Sequence, residues 1–141
     1  MELKTTDDGI YLLLKRGEKL MQSLTELASL QKIASASIVG ISALMEVEFG
    51  FYHLYKKAYE RRLFPDEYEL VSLQGNVTWF EGKPIVHCHA AIGDRDFKIH
   101  GGHLFEAHVA VVTELFLTTR PERLERKFSE HLGLNIWCPS L

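Results

Sequence analysis

One stretch of the chain has a clear helical period, and that limits the folds open to it. Between residues 18 and 32, Leu20, Leu24, Leu27 and Ala28 recur at three- and four-residue steps. Met21 widens this apolar stripe, and Lys19, Gln22 and Glu26 lie opposite it. Gly17 punctuates the start, and Glu18, near the first turn, suits the positive end of the helix dipole. A single amphipathic helix covers one face of a sheet, or lies inside a sheet that curls round it.

The rest of the chain has the grammar of strands. Residues 10–15 carry an apolar run from Ile10 to Leu14. Residues 35–45 are rich in small and β-branched side chains, with Gly40 where a strand bends or bulges. Residues 46–55 continue with Val47, Phe49, Phe51, Tyr52 and Tyr55. Further strands are expected at residues 59–64, 67–74, 76–81 and 84–93, with Glu81, Gly82, Lys83 and Pro84 as a hairpin turn. A long strand at residues 108–118 is closed by Pro121, and the tail mixes a short polar segment with Gly133 to Trp137. The expected fold class is α+β: a single domain, mostly antiparallel β-sheet wrapped around one main α-helix. Residues 1–9 are read as an N-terminal extension and residues 10–141 as the domain, since 141 residues leave no room for a second ordinary one.

Composition removes several function classes. With 46% hydrophobic and 25% charged residues, the chain is a folded domain rather than a disordered one. No apolar run reaches the roughly 18 residues of a membrane span, so no membrane association is expected. Residues 1–8 lack a basic segment followed by an apolar one, so a cytoplasmic location is expected. Sixteen Lys+Arg against nineteen Asp+Glu give a net charge of -3, which opposes general binding to nucleic-acid phosphates. Lys56, Lys57, Arg61 and Arg62, and Arg120, Arg123, Arg126 and Lys127, alternate with glutamates in the manner of a solvated face. Two cysteines, Cys88 and Cys138, make no disulfide framework or zinc pair.

The histidines are more informative. In a strand, His87 and His89 project from one face while Cys88 points to the other, as a small buried hydrophobe. Two imidazoles on that spacing can converge on one ion, and they can equally sit on a solvated sheet face without one. A third ligand must come from elsewhere. His103 is well placed, because Gly101 and Gly102 let its backbone turn or pass close to a neighbouring strand, and His100 and His108 compete for the place. Three histidines without a fourth protein ligand leave an open position, the arrangement of catalytic zinc. His53 and His131 sit among polar neighbours and read as surface residues. Glu106, three residues past His103, is the candidate catalytic base or partner to a histidine, whereas Asp94 and Asp96 read as turn residues.

Taken in order, several short motifs resemble the plant and prokaryote conserved (PPC) domain. They are Gly17 to Leu20, Ser72 to Asn76, Gly82 to Pro84 leading into His87, Cys88 and His89, then Gly93-Asp94, Gly101 to Leu104 and Gly133 to Trp137. The resemblance spans residues 10–137. It implies an antiparallel sheet wrapped round a central helix and assembled as a homotrimer. It also implies a metal site, zinc or another divalent transition metal, on His87, His89 and His103, since His100 and His108 match no motif position. Plant members carry an AT-hook before the domain and act as DNA-associated regulators. No Arg-Gly-Arg-Pro segment occurs here, and acidic Asp66 and Glu67 stand where the plant partner motif has Gly and Arg.

Three functions follow as expectations. The first is a trimeric metal-binding protein acting on a small-molecule substrate or ligand, by hydrolysis. The second is a DNA-binding regulator, opposed by net charge and the missing AT-hook. The third is a non-catalytic oligomeric interaction module built on aromatics such as Phe49, Phe51, Tyr52 and Tyr55.

Overall fold

A computed structural model describes residues 1–139. Strands β1 (Glu2–Thr5) and β2 (Gly9–Lys15) form a hairpin, followed by helix α1 (Leu20–Leu30). Four long antiparallel strands come next: β3 (Ser35–His53), β4 (Ala58–Phe80), β5 (Lys83–Gly93) and β6 (Ile99–Arg120). The sheet order is β1-β2-β6-β3-β4-β5, and β5 pairs a second time with β6, so the last four strands close on themselves. A separate two-stranded sheet joins β7 (Arg126–Ser129) to β8 (Leu134–Trp137). The domain is single, mostly antiparallel and carries one short helix, the α+β class that the lone helical period predicts. Among the described residues, no helix is long and apolar enough to cross a membrane.

The helix buries Leu20, Met21, Leu24, Leu27 and Ala28 in one cluster with Leu12, Leu14, Ile38, Leu73, Leu104 and Leu117 from the sheet. Each such leucine contributes roughly 1.5–3 kcal/mol by leaving water. The helix is shorter than its apolar period suggests. At its end Lys32 takes a positive φ of 51°, and Ile33 N and Lys32 N donate to Ala28 O and Ser29 O. This is the six-to-one and five-to-two closure usually made with glycine, which is why the sequence alone extends the helix to residue 32. Glu18 lies outside the first turn. Its carboxylate accepts from Lys15 N and from the Met1 amino group, both at 2.6 Å.

Three expected strands between residues 59 and 81 are one strand, β4. Pro65 was the natural place to break it. It sits instead at the bulge between Met45 and Val47 of β3, where Glu46 takes a φ of 50° and the ladder is interrupted, so no pairing is lost. Gly75 also continues the strand, because a Cβ there would lie 2.4 Å from Cys88 Sγ. A second bulge falls beside Gly40, as its sequence position suggests. The hairpin at Glu81 and Gly82 is as expected, with φ of 50° and 76° giving the left-handed pair that a tight two-residue turn needs.

The largest departure is in β6, which starts at Ile99 rather than residue 108. Gly101 and Gly102 do not turn the chain. They let three strands crowd together: a Cβ on Gly101 would stand 2.6 Å from Ala90 O, and one on Gly102 3.0 Å from Gly50 O. This approach lets β5 pair with β6 and close the sheet. Replacing Gly101 with alanine is therefore expected to force these strands apart and cost about 1–3 kcal/mol, the usual range for overpacking. Denaturant unfolding of Gly101→Ala against wild type measures it.

Candidate metal centre

The rung at one end of the β5–β6 pairing carries the histidines to one another. His89 of β5 stands directly opposite His103 of β6, and His87 is two residues away on the same face of β5. Cys88 between them faces the core and is fully buried, and burial pushes its thiol up to about 12. It is an inert packing group. The ring centroids of His87, His89 and His103 lie 4.9–5.5 Å apart. One nitrogen from each falls within 4.8 Å of the others. Tetrahedral zinc holds nitrogens roughly 3.3 Å apart at bond lengths of about 2.0–2.1 Å, so the set has to draw in by no more than about 1.5 Å to close on an ion.

The chemistry of the rings fits a cation. Desolvation lowers the His87 pKa to about 4, aided by the charge of Arg126 and by His89. Desolvation likewise holds His103 at about 4, aided by His87, His89 and Arg61. Both are neutral at pH 7 and keep the lone pair that a metal requires. His103 Nδ1 is buried without a hydrogen-bond partner, an orphan that a ligand would satisfy. The three residues can hold a metal. Around them, Tyr59 and Phe105 pack on His103 with ring centroids at 4.8 and 4.7 Å, and Arg61 stacks 3.6 Å above Phe105.

The competing histidines lie elsewhere. His100 Nε2 is 2.9 Å from Asp94 Oδ2, and His108 Nδ1 is 3.0 Å from Glu46 Oε2. Asp94 also accepts from the backbone of Asp96 and Lys98, each at 2.9 Å, which makes it the turn residue expected of it. His53 pairs with Glu60 at 2.9 Å, and His131 is exposed.

Glu106 has a different occupation from the one its position suggests. Its Oε1 accepts from Met21 N at 2.8 Å and its Oε2 from Gln22 N at 3.2 Å. These are the amides at the second and third positions of α1, whose own N-cap, Lys19, makes no side-chain bond. A carboxylate from a strand thus caps the helix and meets its positive end. The same residues line a cleft of about 390 Å³ running from His103 and Phe105 to Met21, Gln22 and Thr25.

Sequence reasoning missed Arg126. Counted with a solvated charge cluster, it is 9% exposed. Its Nε donates to Thr78 Oγ1 at 2.6 Å, Nη1 to Asn135 O at 2.7 Å, and Nη2 to Asn76 Oδ1 at 3.0 Å. The same Nη2 lies 3.4 Å from His87 Nδ1. No signal in the sequence foretells this, because Arg126 reaches His87 across 39 residues.

Fold and site together define a small, mostly antiparallel β-domain with one short helix packed against it and three clustered histidines on the face of β5 and β6 away from Cys88. The profile of the Plants and Prokaryotes Conserved (PCC) domain matches residues 2–120, and the chain belongs to that family, the one its motifs resemble. Comparison with curated proteins gives no significant match. Among solved structures, it is similar to a plant- and prokaryote-conserved protein from Pyrococcus horikoshii (33% identity, TM-score 0.86, covering 96% of this chain and 92% of that one). It is equally similar to a metal-containing protein from Archaeoglobus fulgidus (33%, TM-score 0.86, 97% and 96%). A candidate DNA-binding protein from Ralstonia eutropha JMP134 also matches (32%, TM-score 0.91, 96% and 94%).

Removing the Glu106 carboxylate leaves two helix amides unserved. Glu106→Ala is expected to cost about 1–2 kcal/mol, the upper part of the range for a lost N-cap. Thermal unfolding of the variant, with helix content followed by circular dichroism, checks the value.

Proposed function

We propose that the protein is a trimeric metal-binding member of its family, with zinc held by His87, His89 and His103. The observation that carries this reading is the convergence of three imidazole nitrogens within 4.8 Å, two of them on rings kept neutral by burial. The Archaeoglobus fulgidus neighbour, itself metal-containing, supports it. Zinc in a site of three protein ligands supplies a Lewis acid and lowers the pKa of a bound water to about 7, which suits hydrolysis of a small substrate. The chain's own groups do the positioning. The opposed backbones of β5 and β6 fix His89 against His103, and Tyr59 and Phe105 wall His103 from one side. His89 is exposed and leaves the cluster open to a ligand.

The trimer rests on the outer sheet face. Tyr11, Val39, Ile41, Val71 and Val111 are 51–66% exposed. Tyr11 stands opposite Phe116, and Phe116 opposite Val39, so one apolar row crosses β2, β6 and β3. Contiguous apolar surface of this kind marks an interface. A second reading, DNA binding, is favoured by the description of the Ralstonia eutropha neighbour and opposed by the net charge of -3. Steep loss of duplex binding with rising salt would support it.

Elemental analysis of untagged protein is expected to find near one zinc per chain, lost in His87→Ala, His89→Ala and His103→Ala while the fold persists. Absence of metal, or metal indifferent to all three changes, overturns the site. Light scattering after size exclusion is expected to give a trimer for wild type and a monomer for Ile41→Glu, which places a charge in the apolar face.

A further inference from the structure

The buried guanidinium of Arg126 has no carboxylate partner among the described residues. Its acceptors are a hydroxyl, an amide oxygen, a backbone carbonyl and, at 3.4 Å, the Nδ1 lone pair of His87. All four are neutral. A guanidinium shielded from water is ordinarily matched by an anion, and here none of the described residues supplies one.

The contact with His87 cannot survive metal loading. An imidazole that binds a metal through Nε2 carries its proton on Nδ1, which then has no lone pair to accept with. One that binds through Nδ1 has already given that lone pair to the metal. On either route one N–H of Arg126 is released beside the centre and needs a new acceptor. The charges nearby among the described residues do not provide it. Arg61 on the far side adds a second cation, and the Glu106 oxygens are occupied by the start of α1.

We propose that the metal-loaded centre takes a small oxyanion, a carboxylate or a phosphate, held by Arg126 beside His87. This rests on the metal-binding reading and names its ligand class. Arg126 comes from β7, beyond the residues 2–120 that the family profile matches, so the C-terminal hairpin sets the choice of ligand. Arg126 suits the task because its planar fork can keep Thr78 and Asn135 while turning one N–H to the ligand.

The test uses the full chain loaded with cobalt(II), whose visible bands report on the metal's coordination. Acetate and inorganic phosphate are titrated at constant ionic strength into wild type, Arg126→Gln and Arg126→Lys. The bands are expected to shift with one or both anions, and the arm that responds more tightly identifies the class. Affinity is expected to fall about tenfold in Arg126→Gln, the worth of one charge-assisted hydrogen bond. Where circular dichroism finds Arg126→Gln unfolded, Arg126→Lys decides, since it keeps the buried stem and the charge without the fork; weaker anion binding there supports the proposal. Metal-free wild type is expected to bind neither anion by calorimetry. Failure to bind cobalt overturns the metal reading and this inference together. Cobalt bands indifferent to anions, or affinities unchanged in the Arg126 variants, overturn this inference alone.

Discussion

The structure depends on the second pairing of β5 with β6. An antiparallel sheet with free edges would leave the single helix half covered, because one amphipathic stripe buries against one face only. Pairing β5 back onto β6 makes the sheet close, and the helix fills its open side. Gly101 and Gly102 permit this closure by letting β6 pass against the carbonyls of Ala90 and Gly50, where a side chain has no space. The rung at which the pairing ends, His89 opposite His103, is also the rung that builds the candidate site. Closure and site are the same event.

Two charged residues show how that closure redistributes work along the chain. Glu18, beside the helix in sequence, is spent on Lys15 N and the Met1 amino group. Glu106, distant in sequence, takes the amides of Met21 and Gln22. The helix start is thereby tied to β6 a few residues beyond His103, so the cleft between them has a fixed wall. On the other side, Arg126 ties the C-terminal hairpin to Asn76, Thr78 and His87. The histidine cluster is held between a strand that caps a helix and a hairpin that delivers a buried cation.

Much of the candidate site was legible in the sequence because strand geometry is local. The two-residue period places His87 and His89 on one side of β5 and sends Cys88 into the core, whatever the rest of the chain does. The choice of His103 over His100 and His108 came from family motifs. Spacing within β6 could not make it, since each of the three satisfies some simple rule. Tertiary placement separates them: His100 and His108 stand beside Asp94 and Glu46, while His103 lies with His87 and His89. The misjudged strands share one cause. Pro65, Gly75 and Gly101 carry local signals that a distant partner overrides, through a bulge in β3, the sulfur of Cys88 and the carbonyl of Ala90, whereas Lys32 ends α1 locally in a left-handed conformation usually left to glycine.

The sequence by itself determined the α+β class, the single helix with its apolar face, the tight turn at Glu81 and Gly82, and the shared orientation of His87 and His89. These follow from periods of two and of 3.6 residues and from backbone preferences, all of which act over a few residues. Only the tertiary structure decided that β4 and β6 run unbroken, that Glu106 caps α1, and that Arg126 lies buried against His87. Those outcomes depend on which distant strands meet and in what register. Hydrophobic pattern constrains that choice only as a whole, and no single segment encodes it.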